Sequence, residues 1–277
     1  MAVVRTVELP SGVRVPALGQ GTWGMGEDPA RRQSEVAALR RGFDLGMTLV
    51  DTAEMYADGA AEEVVGEAIR GRRDETFVVS KVSPRHADRR GAPAACRASL
   101  RRLGTDRIDL YLLHWRGDVP LDETVEALEG LVADGSIGSW GVSNLDVDDL
   151  ADLPAGARPQ TDQVLYNLTR RGPEYDLLPF CRERSLPVMA YSPVEQGRLL
   201  GHPALAAVAE VHGSTPAQVA LAWVLRRDDV IAIPKASTVA HVEENRAALD
   251  LLLREDELRA LDAAFPPPDR KQPLDVL

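Results

Sequence analysis

Three polar residues stand at the ends of three short apolar runs, and together they could carry out acid–base chemistry. Asp51 follows residues 48–50, Lys81 follows residues 76–80, and His114 follows residues 108–113. Neighbouring strands of a sheet lie about 4.8 Å apart, so Asp51 and Lys81 can pair, with His114 nearby. A structural ion pair beside a satisfied histidine is the alternative. Because buried charges are costly, three titratable groups at successive strand ends favour a functional site.

Lysine is scarce in this chain, which makes the position of Lys81 informative. Only Lys81, Lys235 and Lys271 occur among 32 lysines and arginines. Lys81 and Lys235 close apolar runs, at positions where a surface charge is not expected. An ammonium is a compact charge whose pKa responds to burial, whereas a guanidinium stays charged and forked. The pattern therefore indicates that an ammonium is required at these two strand ends.

Tyr56 lies five residues after Asp51, close enough to fold back over the same strand ends. A phenol beside an ammonium has its ionised form favoured, which lowers a pKa that is ordinarily about 10. We therefore expect Tyr56 to exchange a proton near neutral pH, as a general acid–base requires. The alternative is a tyrosine that only packs in the core or in a lid.

Short apolar runs alternate with helical patterns along nearly the whole chain. The apolar runs predict eight strands, at residues 18–22, 48–51, 76–82, 108–114, 137–143, 162–166, 187–191 and 230–234. Several are almost continuously apolar, which is typical of parallel strands buried on both faces. The patterns between and after them predict eight helices, at residues 32–45, 61–69, 92–103, 121–134, 146–153, 177–184, 215–227 and 239–252.

Eight repeats of strand and helix over about 250 residues predict an α/β fold, a (β/α)8 TIM barrel. A doubly wound sheet is the competing fold, but its glycine-rich turn should open a helix, and residues 19–24 do not. Residues 6–18 predict a β-hairpin that caps the bottom of the barrel. Residues 255–264 predict an extra C-terminal helix. We interpret residues 1–277 as a single domain, since no linker or low-complexity segment divides them.

Charge and cysteine content narrow the classes of partner. The net charge of −11 argues against nucleic acid and anionic membranes as partners. The first eight residues do not resemble a secretory signal, and no apolar run approaches the roughly 20 residues of a membrane span. Cys96 and Cys181 are interpreted as reduced thiols without metal-ligand spacing, so no metal is expected. These features predict a cytoplasmic protein.

The arrangement of Asp51, Tyr56, Lys81 and His114 on an eight-fold pattern resembles the catalytic tetrad of the aldo-keto reductases. In detail it is most similar to bacterial reductases of methylglyoxal and other small aldehydes. Five further stretches look like signatures of this family in the same order, and the resemblance covers nearly the whole chain. They are the segments 19–23, 51–56, 141–144, 191–193 and 233–237.

The resemblance implies that NADPH or NADP+ lies across the barrel mouth, without a Rossmann domain and with NADH as a less favoured cofactor. Tyr191 would stack on the nicotinamide ring, while Ser143, Asn144 and Gln163 would hydrogen-bond its carboxamide. Further contacts are implied at the strand ends and along the loop near the diphosphate: Gly21, Thr22, Trp23, Asp51, Ser192, Pro193 and Gln196. At the adenosine end the implied contacts are Lys235, Ser237, Thr238, His241, Glu244 and Asn245.

Two positions depart from the family pattern. His241 stands where the family often has an arginine that forks onto the 2′-phosphate. A histidine is mostly neutral at pH 7 and cannot make that contact, so we expect NADPH preference with a looser grip. Glu195 stands where relatives often carry a small residue near the diphosphate. It could weaken cofactor binding or point to solvent, and the sequence leaves both alternatives open.

The resemblance implies that Tyr56 protonates the carbonyl oxygen of a small aldehyde or ketone during reduction to the alcohol. Lys81, held by Asp51, would lower the tyrosine pKa, and His114 would orient the carbonyl. Short loops predict an open, shallow substrate pocket, lined by Trp23, Tyr56, His114 and Trp115. A monomer is the default for the family. An NADP(H)-binding regulatory protein or redox sensor with little turnover is the alternative function, and a metal-dependent hydrolase is a third.

Overall fold

The computed structural model describes residues 4–277, and its first element is an antiparallel hairpin. Strand β1 (Thr6–Glu8) pairs with β2 (Arg14–Pro16). Beyond the strands, the Arg5 guanidinium donates to the carbonyl oxygen of Leu225 at 3.0 Å, and the Ser11 amide donates to Gln160 at 2.8 Å. Both partners precede barrel strands, so the hairpin covers the amino ends of the strands, as the sequence predicts. Of residues 1–8, in which no secretory signal is expected, 1–3 lie outside the described residues.

In the described part of the chain, eight parallel strands form one sheet in chain order, and the sheet closes on itself. They are β3 (Gln20–Gly21), β4 (Leu49–Asp51), β5 (Phe77–Val82), β6 (Ile108–Leu113), β7 (Ile137–Ser143), β8 (Asp162–Leu165), β9 (Val188–Tyr191) and β10 (Val230–Ala232). Parallel bridges from Leu18 to Ala232 and from Gly21 to Lys235 join the first strand to the last. The (β/α)8 barrel is therefore confirmed, with all eight strands where they are predicted.

Within residues 4–277, ten α-helices surround the barrel or cover its ends. They are α1 (Arg32–Asp44), α2 (Ala60–Ile69), α3 (Gly91–Leu103), α4 (Leu121–Ala133), α5 (Val147–Ala151), α6 (Leu177–Glu183), α7 (Pro203–His212), α8 (Pro216–Leu225), α9 (Val239–Ala247) and α10 (Glu255–Ala264). Nine of them fall on predicted segments, although α5 is shorter than expected and α9 ends at Ala247. The sequence prediction missed α7, because the helix lies outside the simple repeat and begins at a histidine cap, which is an uncommon start signal.

The strands are buried on both faces because the helices cover the outer face and side chains fill the interior. Adjacent residues of a strand point to opposite faces. On β5, Ser80 therefore faces the helices, where its hydroxyl donates to Glu62 of α2, while Lys81 faces the barrel interior. One apolar cluster of buried residues extends from Val7 to Phe265. Within residues 4–277, no helix is both long and apolar enough to cross a membrane.

Candidate active site

The acid and the base expected at the strand ends form a buried ion pair. Asp51 is the last residue of β4, and Lys81 lies one residue before the end of β5. The Lys81 Nζ is 2.8 Å from each carboxylate oxygen of Asp51 and 2.9 Å from the carbonyl oxygen of Thr52. The lysine side chain is fully buried. The Lys81 Nζ also contacts the hydroxyl of Tyr56, at 3.2 Å.

Tyr56 reaches this position because the loop after β4 is held by hydrogen bonds at its start and in its middle. At its start, the Thr22 hydroxyl donates to the carbonyl oxygen of Asp51 at 2.9 Å. In its middle, a Glu54 carboxylate oxygen accepts a 2.6 Å hydrogen bond from the amide of Ser83. Directly after Tyr56, Ala57 and Asp58 adopt left-handed conformations with φ of 48° and 51°. Such turns disfavour residues with side chains and persist only where surrounding contacts enforce them.

The fourth member, His114, follows β6 and lies at the edge of the Tyr56 ring. The two ring centroids are 5.8 Å apart at an interplanar angle of 72°, and Trp115 lies 4.8 Å from the imidazole. The imidazole Nδ1 is buried and has no hydrogen-bond partner among residues 4–277. A buried nitrogen without a partner at a catalytic mouth is suited to contact a ligand. Asp51, Tyr56, Lys81 and His114 are thus brought together as the sequence predicts.

Electrostatics hold these groups in defined protonation states. Burial opposes the charge of Lys81, but Asp51 and the Tyr56 phenol more than offset it, so the pKa of Lys81 is raised. Burial also raises the pKa of Tyr56, and the nearby Lys81 charge offsets this only in part. The prediction that Tyr56 titrates near neutral pH is therefore wrong, because desolvation exceeds the lysine's effect. At neutral pH Tyr56 is a protonated phenol, the form that can donate a proton.

His114 is neutral, and this makes a prediction for the pH profile. Burial, reinforced by the Lys81 charge, lowers the His114 pKa to about 3. Its pKa thus lies below the range of about pH 5 to 8 in which histidines usually titrate. We therefore expect the pH profiles of kcat/KM between pH 5 and 8 to show the same ionisations in the wild type and in His114→Gln. An ionisation near 6.5 that vanishes in this variant would contradict a neutral His114.

Ser143, Asn144 and Tyr191 form one hydrogen-bonded group beside the tetrad. The Asn144 amide donates to the Ser143 hydroxyl and to the carbonyl oxygen of His114, both at 3.1 Å. The Tyr191 hydroxyl donates to the Asn144 side-chain oxygen at 3.0 Å. Gln163 joins this group through its backbone carbonyl oxygen, which accepts from the Ser143 hydroxyl at 2.8 Å. Its side-chain amide instead donates to Asp51 at 2.8 Å and contacts the Met189 sulfur.

Gly21, Thr22 and Trp23, at and after the first barrel strand, differ in burial and in role. A Cβ atom on Gly21 would lie 2.7 Å from the carbonyl oxygen of Ile233, so closure of the barrel requires glycine there. Thr22 is fully buried, whereas Trp23 is 59% exposed and Trp115 is 37% exposed. Two aromatic side chains therefore stand in solvent at the mouth, which agrees with an open site.

The set expected at the adenosine end gathers around β10 and the start of α9. Lys235 is exposed, so the expectation that it occupies a site unsuited to a surface charge is wrong. Its strand ends at Ala232, and Lys235 is exposed between two buried neighbours, Pro234 and Ala236. The Ser237 hydroxyl is buried and without a partner in the described part of the chain. Thr238 caps α9 by accepting from the His241 amide at 3.3 Å. Glu244 is exposed and Asn245 half-buried on the same helix.

The loop after β9 contains Ser192, Pro193 and Gln196, and it settles the position of Glu195. Ser192, Glu195 and Gln196 all have positive φ angles, between 46° and 54°. The Glu195 side chain points neither to solvent nor to an open surface: it is 6% exposed and accepts hydrogen bonds from Asn167 and Arg170. Asn167 was not predicted from the sequence, although it lies shortly after β8, and a polar residue close to the end of an apolar run was the signal that identified Asp51 and His114.

Comparison with known proteins agrees with this geometry. The Aldo/keto reductase family model matches residues 17–265, and the chain belongs to this family. It is 53% identical to the methylglyoxal reductase YeaE of Escherichia coli over 99% of each chain, and 34% identical to the glyoxal reductase of Bacillus subtilis over 93% of this chain and 92% of that one. An aldo-keto reductase of Klebsiella pneumoniae solved with NADPH is 55% identical, with a TM-score of 0.97 over the full length of both chains.

Proposed function

We propose that this protein is an NADPH-dependent aldo-keto reductase that reduces small aldehydes and ketones, including 2-oxoaldehydes such as methylglyoxal, to alcohols. One observation carries the proposal: a protonated Tyr56 phenol lies 3.2 Å from a buried lysine and at the edge of a neutral His114. The names of the relatives support the substrate class, and the NADPH complex of a 55% identical neighbour supports the cofactor.

Each tetrad residue has a distinct part in this reaction. Tyr56 donates its proton to the carbonyl oxygen, and the Lys81 ammonium stabilises the phenolate left behind. Asp51 holds Lys81 in place through two 2.8 Å contacts. His114, being neutral, can donate one hydrogen bond that orients the carbonyl oxygen. NADPH, when bound, supplies the hydride that reaches the carbonyl carbon.

The described residues fit a nicotinamide dinucleotide at both ends. Near the tetrad, Tyr191 offers a ring face, and Ser143 and Asn144 offer polar groups for the carboxamide. Contacts along the rest of the cofactor are proposed for Gly21, Thr22, Trp23, Asp51, Gln163, Ser192, Pro193 and Gln196. At the other end, the Ser237 hydroxyl, which has no partner among residues 4–277, and the N-terminus of α9 suit a phosphate. Lys235, Thr238, His241, Glu244 and Asn245 complete the proposed adenosine site.

Steady-state assays with a carbonyl panel test this function. We expect NADPH consumption with methylglyoxal, glyoxal and a nitrobenzaldehyde. Activity with bulky ketones such as steroids should be weaker, because an open mouth with solvent-exposed aromatic residues offers them no deep apolar pocket. Each alcohol product should form in proportion to the NADPH consumed. Tight NADPH binding without oxidation by any carbonyl would instead favour the redox-sensor alternative.

Cofactor preference provides a prediction at His241. We expect kcat/KM to be higher with NADPH than with NADH, because a phosphate suits the α9 N-terminus. His241→Arg should lower the Kd for NADPH about tenfold by adding a forked, charged contact. The Kd for NADH, which lacks the phosphate, should change little in the same variant. Equal or better efficiency with NADH in the wild type would contradict this assignment.

We further propose that the chain is a single domain, acts as a monomer in the cytoplasm, and binds neither nucleic acid nor membranes. The continuous buried cluster from Val7 to Phe265 supports one domain. The net charge of −11 supports the absence of polyanionic partners. Cys96 and Cys181 are both buried free thiols, and burial raises the Cys96 pKa to about 12, which is consistent with reduced and unreactive cysteines.

A further inference from the structure

Asn167 lies at the centre of a buried hydrogen-bond network outside the tetrad. It is fully buried between the loops that follow β8 and β9. Its amide nitrogen donates to the carbonyl oxygen of Ser192 at 2.9 Å and to Glu195 at 2.8 Å. Its side-chain oxygen accepts from the Thr169 amide and hydroxyl and from the Arg170 amide, at 2.8 to 3.1 Å. Three donors on one side and two acceptors on the other fix the orientation of the amide.

The partner acid, Glu195, is held by both neighbouring arginines. One carboxylate oxygen accepts from Arg170 and from Arg198, each at 3.1 Å, and the other accepts from Asn167. Burial opposes ionisation, but these hydrogen bonds and charges outweigh it, and the pKa of Glu195 is lowered. Arg170 is also 3.3 Å from Asp275 in the C-terminal segment. Glu195 is therefore an ionised carboxylate whose charge is neutralised inside the protein.

This network joins a loop that would not keep its shape alone. Ser192 follows Tyr191 directly and has a φ of 46°, a conformation that residues with side chains rarely adopt. Glu195 and Gln196 share this conformation a few residues later. Strained backbone persists where surrounding contacts over-determine it. Asn167 makes such contacts at two points of the loop, Ser192 and Glu195.

We propose that Asn167 and Glu195 are positioning residues for NADP(H): by fixing the loop of residues 192–198, they hold Tyr191 where it can meet the nicotinamide. This inference deepens the proposed function and rests on it. It also bears on the two alternatives that the sequence left for Glu195. The carboxylate does not lie in solvent, and because Arg170 and Arg198 pair with its charge, we expect it not to repel the diphosphate.

The two explanations of Glu195 predict opposite signs for one variant. If Glu195 acted only as a negative charge near an anionic cofactor, Glu195→Gln would tighten NADP+ binding. If Glu195 acts by holding the loop of residues 192–198 in place, the same change weakens its contacts with Arg170 and Arg198, and the loop becomes less well fixed. We then expect the Kd for NADP+, measured by tryptophan fluorescence, to rise about tenfold, the effect of losing charged hydrogen bonds. The KM for NADPH should rise with it, while the KM for methylglyoxal changes little.

Asn167→Ala should raise the Kd for NADP+ similarly without changing any charge. The double variant should be no weaker than the weaker single variant, because the two residues act as one unit. Glu210→Gln, an exposed acid on α7, is the matched control and should leave the Kd unchanged. Thermal unfolding reports whether Asn167→Ala remains folded, and the near-isosteric Glu195→Gln provides the test if it does not.

Tighter or unchanged NADP+ binding in Glu195→Gln, with wild-type turnover, would overturn the positioning role and leave the proposed function standing. A wild-type protein that binds no NADP+ would overturn both. A raised Kd in both single variants with an unchanged control would support the inference.

Discussion

Tyr56→Phe is expected to lower kcat for methylglyoxal reduction by about 10²- to 10⁴-fold, the range typical of a lost general acid. Burial keeps the phenol protonated at neutral pH, so the hydroxyl is the proton donor nearest the Lys81 ammonium. Phenylalanine keeps the ring, including its edge contact with His114, and removes only the oxygen. The Kd for NADP+ and the thermal unfolding midpoint should therefore change little.

The matched control for this variant is Tyr175→Phe. Tyr175 is 49% exposed and lies in the loop before α6, so removal of its hydroxyl should leave kcat unchanged. Two results would contradict the role given to Tyr56. One is a kcat within a few-fold of the wild type, and the other is a loss of activity that only accompanies unfolding.

Lys81→Met is expected to affect both stability and activity. Removing the ammonium leaves the buried Asp51 carboxylate without its counter-ion, which typically costs about 3–5 kcal/mol in the free energy of unfolding. Reduction should also be lost, because nothing remains to stabilise the phenolate of Tyr56. Urea unfolding and NADPH consumption measure the two effects separately. Lys271→Met, at an exposed ion pair with Asp148, should change the unfolding free energy little, because exposed ion pairs contribute little to stability.

The double variant Asp51→Asn/Lys81→Met separates stability from chemistry. Because it removes both charges, much of the lost unfolding free energy should return, since an uncompensated buried charge is the main cost in the single variant. Activity should not return with it. A Lys81→Met protein as stable as the wild type, or a double variant with wild-type kcat, would contradict the part assigned to the ion pair.

The tetrad could be predicted from the sequence because strand periodicity is a local property. Asp51, Lys81 and His114 each end or follow an apolar run, and parallel strands bring such positions to one rim. Tyr56 could be placed near them by chain length alone. The sign of its pKa shift could not, since that depends on how completely neighbouring loops exclude water from the phenol.

Contacts between distant loops were beyond sequence reasoning. Asn167 and Glu195 are 28 residues apart, and their pairing depends on how the loops after β8 and β9 pack. Lys235 looked like a second buried ammonium because it closes an apolar run, yet β10 ends at Ala232 and leaves the lysine exposed. Lys235 still pairs with Gly21 in a parallel bridge, so its position at a strand end does not by itself predict that its side chain is buried.

A single-turnover experiment tests the proton-donor role of Tyr56 most directly. NADPH is bound to excess protein, methylglyoxal is added, and NADPH consumption and alcohol formation are followed in the wild type and in Tyr56→Phe. We predict that the wild type converts bound NADPH into an equal amount of alcohol, and that Tyr56→Phe binds NADPH equally but reacts at least about 10²-fold more slowly. Equal rates in the two proteins, or no reaction in the wild type, would contradict a reductase that uses Tyr56 as its acid.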